Sequence, residues 1–293
     1  MLILLLGMIV PASGQGFGLT VLLSERSGAY LQFFESLNRQ LAGKNISISI
    51  QDVDAPLATT DLLLAVGTKA AIRALQEDKF PVLSVLVPKD GYTKILTGLA
   101  RAQKHPARHN SAIYLDQPPG RQLDFIRALF PKLRSVGVMY SSPPDEIGVI
   151  RMQANARAFE LVEQPVENPS LLPVSLQELL VSSEVLLAVP DPAIYNPSTI
   201  RNILLATYRI RVPLIGFSLA YVKAGALAAI FSRPDQIASQ AAAIVQEFEN
   251  SRVLPPSQYS QEFDFAINEQ VAHSLGLNIR SEAQLRAIIG KSP

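Results

Sequence analysis

Residues 185–245 read VLLAVPDPAIYNPSTIRNILLATYRIRVPLIGFSLAYVKAGALAAIFSRPDQIASQAAAIV. Val185 to Asp191 is an apolar run ending in Pro-Asp. A polar, helix-like segment follows from Pro197 to Arg209, then a second apolar run from Val212 to Phe217. After a short polar step comes Ala224 to Phe231, and Ser232 with Pro234 opens another helix. Short apolar runs alternating with helices predict a parallel sheet covered by helices. Each run ends in small or polar residues, at the edge where such sheets hold ligands.

Outward from this stretch the same alternation continues. Gly18 to Leu23 is a strand candidate, and Leu31, Phe34, Leu37 and Leu41 mark one buried face of a helix over Ala29 to Leu41. Ile46, Ile48 and Ile50 alternate with Ser47, Ser49 and Gln51, the period of a half-exposed strand. Leu62 to Val66 and Pro81 to Val87 are solid apolar runs, separated by a helix opening at Gly67-Thr68. Lys89 to Ala102 is weakly patterned. Ser111 to Leu115 is a strand, and Asp116-Gln117-Pro118-Pro119-Gly120 reads as a crossing point. The pattern then restarts, with a helix to Phe130, a β run over Leu133 to Tyr140, a helix over Glu146 to Phe159, a strand over Leu161 to Glu167 and a short helix over Pro173 to Leu180. Gln261 to Ile267 alternates into a strand, and helices are expected from Asn268 to Leu275 and from Ser281 to Ile289.

Composition narrows the functional classes. At 293 residues the chain predicts two domains of about 100 to 150 residues each. With 48% hydrophobic and 17% charged residues it is a packed protein and not a disordered one. A net charge of +1 without long runs of either sign gives no reason to expect nucleic acid or a polybasic membrane patch. The absence of cysteine removes disulfides, thiolate catalysis and Cys-ligated metals. Leu2 to Val10 is apolar and Pro11 to Gly14 supplies small residues, so residues 1–14 are expected to be a signal peptide, too short to span a bilayer. No Cys follows it, and an exported, unlipidated protein soluble in the periplasm is expected.

Catalytic readings find little support. His105 and His109 are four apart, but Pro106 between them breaks the helix a metal site would need. Gly14 to Gly18 precedes a strand, whereas a phosphate-binding glycine loop follows one. The pairs Asp52 with Asp54 and Asp145 with Glu146 read as turn-solvating carboxylates. The expectation is a protein that is not an enzyme, with no catalytic residue, metal or cofactor.

Several segments resemble one family. Val222 to Ala228 with Gln240-Ala241-Ala242, Arg134 to Tyr140, Val189-Pro190-Asp191, Val212 to Phe217, and Ile267-Asn268 with Ala272 to Leu277 look like the ABC-transporter substrate-binding proteins whose few characterised members take aromatic amino acids. The resemblance runs from about Leu19 onward and is strongest from Pro118 to Ile279. It implies the type I periplasmic-binding-protein fold: α/β, two Rossmann-like lobes with parallel sheets. It places the first lobe at 15–116 with a return segment near 232–255, and the second at 117–231. A C-terminal strand and helices, 256–293, then pack on the second lobe and hinge.

The resemblance also implies a cleft. Thr68 starts a first-lobe helix whose N–H groups would hold a carboxylate, with a plain cap as the alternative. Ser84 to Asp90 is the next first-lobe strand end and loop, and Ser141 with Ser142 begins the matching second-lobe helix, where a cap is again the alternative to a ligand contact. Asp191 sits where a carboxylate would bind an α-ammonium, a turn-forming Asp being the alternative. Phe217 and Ser218 end the following strand. Phe231 stands where the family has Gly, beside Ile230 in a Tyr place. The function implied is the periplasmic binding component of an ABC transporter. It would be a monomer that takes an amino acid or small carboxylate between its lobes and delivers it to an inner-membrane permease. The alternative is a ligand-sensing or interaction protein of the same fold that signals to a membrane partner; neighbouring genes for a permease and ATPase, or for a receptor kinase or cyclase, would separate the two.

Overall fold

The computed structural model describes residues 16–26, 28–102 and 109–289; the expected signal peptide and His105 lie outside them. The N-terminal part of the chain forms β1 (Phe17–Leu23), α1 (Gly28–Leu41), β2 (Ile46–Asp52), β3 (Leu62–Val66), α2 (Thr68–Glu77), β4 (Val82–Val87), α3 (Lys89–Arg101) and β5 (Asn110–Tyr114). The second lobe adds α4 (Pro119–Leu129), β6 (Ser135–Tyr140), α5 (Ile147–Ala156), β7 (Glu160–Pro165), α6 (Leu172–Ser182), β8 (Val185–Leu187), α7 (Ile200–Ile210), β9 (Leu214–Gly216), α8 (Leu219–Ala224) and β10 (Ala228–Phe231). The chain closes with α9 (Pro234–Ser251), β11 (Gln258–Tyr259), β12 (Asp264–Ile267), α10 (Glu269–Ser274) and α11 (Glu282–Ile289).

Two six-stranded sheets result, ordered β11-β5-β4-β3-β1-β2 and β12-β10-β9-β8-β6-β7. Among the described strands every pairing is parallel except β10 with β12. This is the two-lobed α/β architecture with mostly parallel sheets. The fully apolar strands β3 and β4 are buried at every residue, because helices cover both faces. Edge strand β2 alternates, keeping Ile46, Ile48 and Ile50 against the core while Ser47 and Ser49 face solvent.

After β10 the chain returns to the first sheet. Ile237, Ala238, Ala241, Val245 and Phe248 of α9 pack with Phe33 and Leu37 of α1 and with Leu19 and Val21 of β1. Phe33 and Phe248 are almost wholly buried, each stabilising the lobe by about 1.5–3 kcal/mol relative to exposure. The strand expected over Gln261 to Ile267 is present over Asp264 to Ile267, and a further short strand, Gln258-Tyr259, precedes it. Gln258-Tyr259 joins β5 in the first sheet, and Asp264 to Ile267 joins β10 in the second. The chain crosses between the sheets in the few residues separating them, and alternation alone does not show which edge a strand joins. The weakly patterned Lys89 to Arg101 is a regular helix, and the polar step after Phe217 is the short helix α8. No helix among the described residues is long and apolar enough to cross a membrane.

Candidate functional site

Three segments pass between the lobes, near Leu115 to Pro118, Phe231 to Arg233 and Ser260 to Phe263, and polar side chains tie them together. Buried Gln117 donates from Nε2 to Ser232 Oγ at 2.8 Å, and Ser232 Oγ donates to the Glu262 carbonyl at 2.6 Å. Arg121 Nη1 reaches both Gln117 Oε1 (2.7 Å) and the Ser260 carbonyl (3.0 Å). Buried polar groups are tolerable only when partnered, so this network fixes the register of all three crossings against one another.

Beside the crossings, the C-terminal strand ends of both sheets meet. A cavity of about 50 Å³ is lined by Pro88, Lys89 and Asp90 after β4, by Asp116 and Gln117 after β5, by Pro144 and Glu146 after β6, and by Val189 and Pro190 after β8. Lys89 bridges the lobes. Its Nζ donates to Glu146 Oε1 at 2.5 Å, and the Tyr259 hydroxyl donates to Glu146 Oε2. The same ammonium lies 5.1 Å from the Tyr259 ring centre and 5.6 Å from that of Tyr114, and the two rings meet edge-on at 5.3 Å. The Lys89 backbone N–H donates to Asp116 Oδ2 at 2.5 Å. Further out, Lys94 pairs with Asp90 at 2.6 Å and donates to Ser142 Oγ at 3.2 Å, while the Asp145 N–H donates to Asp90 Oδ1 at 3.3 Å.

Asp116 is the electrostatic anomaly of the site. The residue as a whole keeps some exposure, but its Oδ1 is shut off from solvent and has no hydrogen-bond partner. Burial pushes its carboxyl up to about 7; the charges of Glu146 and Asp90 push the same way, and the Lys89 N–H bond opposes them. Burial and the Glu146 carboxylate also hold the Tyr259 phenol above the usual range.

Of the residues singled out in the sequence, the fold joins some and separates others. Asp191 and Ser141 are partners: Asp191 Oδ2 accepts from Ser141 N (2.6 Å) and Ser141 Oγ (2.8 Å), while Oδ1 accepts from Ala193 N (2.9 Å). The carboxylate is therefore taken up by its own lobe, closing the turn after β8. Ser142 is exposed and faces Lys94 of the other lobe. Phe217 packs 4.5 Å from the Tyr221 ring and 6.5 Å from Tyr195, and Ser218 precedes α8 without a side-chain cap bond. Phe231 is half-buried opposite Asp264 at the end of β10, and Ile230 is core.

Two first-lobe candidates lie away from the cavity. Ser84 is wholly buried within β4, its Oγ without a partner. Thr68 is exposed at the start of α2, where Ser24 accepts from the Ala70 N–H at 3.0 Å. That arrangement needs Gly67: at φ +88° a Cβ would lie 2.6 Å from Ser24 Oγ and 2.8 Å from the Tyr30 ring. Lys89 and Asp90, which line the cavity, lie in the Ser84 to Asp90 strand end and loop that the resemblance places in the cleft. Asp116, Glu146 and the Tyr259 that bonds to Glu146 are not singled out by the sequence as ligand contacts; Glu146 reads there as a turn carboxylate.

The ABC transporter substrate binding protein family matches residues 58–288. The chain belongs to that family. Proteins of this family bind small-molecule ligands, work with an ABC transporter and are not enzymes. Among solved structures, the chain is similar to a substrate binding protein with adhesive properties from Clostridium difficile, at 19% identity and TM-score 0.68, covering 92% of this chain and 97% of that one. It is also similar to a conserved domain protein from Vibrio cholerae, at 20% identity and TM-score 0.65 over the same shares. An ABC domain from Streptococcus pneumonia in complex with L-Trp aligns at 16% identity and TM-score 0.64, over 92% of this chain and 98% of that one. At such identities these likenesses establish the fold alone. None of the curated proteins matches the chain in sequence.

Proposed function

We propose that this substrate-binding family member is exported to the periplasm, takes an amino acid or small carboxylate into the cleft beside Lys89 and Glu146, and presents it to an inner-membrane ABC permease as a soluble monomer. The observation that carries the reading is the cavity at the strand ends, which draws its lining from both lobes and from the first crossing. A ligand there touches both lobes at once, so its binding energy and the angle between the lobes become one equilibrium. The tied crossings are the natural hinge, since among the described residues they carry the chain between the sheets.

The deciding experiment is a thermal-shift screen of the purified protein against amino acids and small carboxylates. A compound that binds only the folded chain raises Tm, by an amount equivalent to about 2.7 kcal/mol at a concentration one hundred times Kd. A shift for at least one compound, lost in Glu146→Gln, is expected. No shift across the panel would overturn the cleft reading.

A further inference from the structure

Lys89 occupies a place built for a cation. Its ammonium is held by the Glu146 carboxylate at 2.5 Å and flanked by the rings of Tyr114 and Tyr259, the geometry in which π-faces attract positive charge. Around the same cavity stand three acidic side chains, Asp90, Asp116 and Glu146, of which Asp90 is paired with Lys94 and Glu146 with Lys89. One acceptor is still unused, because Asp116 Oδ1 is shut off from solvent without a partner. The occupant is also easily removed. Lys89 and Glu146 keep 29% and 19% of their side-chain surface exposed, and the lysine hangs on a flexible four-carbon stem. The space beside it is small, about 50 Å³. A ligand whose own cation is to reach Glu146 requires the lysine to leave.

We propose that Lys89 is a tethered competitor: its ammonium fills the seat of a ligand's cationic group, and the ligand that displaces it carries an ammonium and is not a simple carboxylate. This rests on the cleft being the ligand site and narrows the chemistry of what enters. An incoming ammonium inherits Glu146 and the two tyrosine rings and finds a further acceptor in Asp116. A lone carboxylate would instead meet the carboxylates of Glu146 and Asp90 and would have to pull Lys89 away from its own partner.

The test is chemical rescue. Lys89→Ala vacates the seat, and n-butylammonium chloride is compared with sodium n-butyrate and with potassium chloride at equal ionic strength. The amine is expected to raise the Tm of Lys89→Ala by several degrees, saturably. Wild type should need at least about 10-fold more amine, and Lys89→Ala/Glu146→Gln should not respond. Butyrate and salt should do nothing. If Lys89→Ala folds and responds to butyrate, or to neither compound, the proposal is wrong.

If Lys89→Ala does not fold, the wild-type lysine 15Nζ resonance, assigned through Lys89→Arg, serves instead: it is expected to shift with butylammonium but not with butyrate. A resonance unmoved by the amine, or moved by butyrate, would overturn the proposal. The two readings fail separately. Amine rescue alongside an empty amino-acid and carboxylate screen would leave the cation seat standing and remove the cleft as a solute site. A simple carboxylate that binds, with no amine rescue, would do the reverse.

Discussion

Two aspartates follow strands of this protein, and the fold treats them in opposite ways. Asp191, after β8, has three donors from Ser141 and Ala193. Asp116, after β5, has one donor, the Lys89 N–H, and one oxygen that is buried and bare. Asp191 is a joint within the second lobe; Asp116 sits on the cavity wall where the lobes meet. The lesson is one of hydrogen-bond accounting. A carboxylate whose lone pairs are all satisfied locally holds a turn, and one that keeps an unmet acceptor is available to something else.

The comparison can be broken most directly at Asp191. Asp191→Ala removes the acceptor of three bonds to a charged group, and a loss of about 3 kcal/mol in urea unfolding is expected, since single bonds of that kind are worth about 1.5–3 kcal/mol and are not additive. Unchanged stability combined with weakened ligand binding would return Asp191 to the cleft. Next in size is Gly67→Ala, which strains a left-handed backbone against Ser24 and Tyr30 and should cost about 1–3 kcal/mol. It sharpens the contrast between lobes, because the first lobe fixes its strand end by close packing under a glycine where the second uses a carboxylate.

Ser232→Ala strips the partner from Gln117 Nε2, while the Glu262 carbonyl keeps Ser260 Oγ, and is expected to cost about 1–2 kcal/mol. An unaffected protein would mean the crossings are held by packing alone. The smallest effect at neutral pH belongs to Asp116→Asn, within about 1 kcal/mol of wild type. Its signature is instead a slope. With its pKa raised to about 7 in the fold, Asp116 binds a proton that the unfolded chain has already released. Its contribution is therefore complete below about pH 4 and is lost as pH rises to about 7. The wild type minus Asp116→Asn stability difference should fall across that window; a flat difference would mean the Asp116 carboxyl is not held above its ordinary range.

The legibility of the sequence differed in the same way between fold and site. Apolar runs such as Leu62 to Val66 and Val185 to Leu187 announced covered parallel strands, and the Ile46-Ile48-Ile50 alternation announced an edge, because side-chain period follows directly from backbone geometry. The second-lobe strand ends drew attention to Ser141 and Asp191, yet nothing local to either revealed that they satisfy each other 50 residues apart. Lys89 and Tyr259, separated by 170 residues, share one carboxylate only because β11 adds to the edge of the first sheet beside β5. The division of Gln258 to Ile267 between two sheets was likewise invisible to alternation.

The sequence by itself therefore determined the alternation of strands and helices, the division into two α/β lobes and the family, all of which rest on patterns repeated over short windows. The tertiary structure alone decided which strand ends meet, which carboxylate is consumed by its neighbours and which is left bare, and where Lys89 rests. Those outcomes depend on distances between residues far apart in the chain and on burial that only packing creates, and no period or spacing along the chain encodes either one.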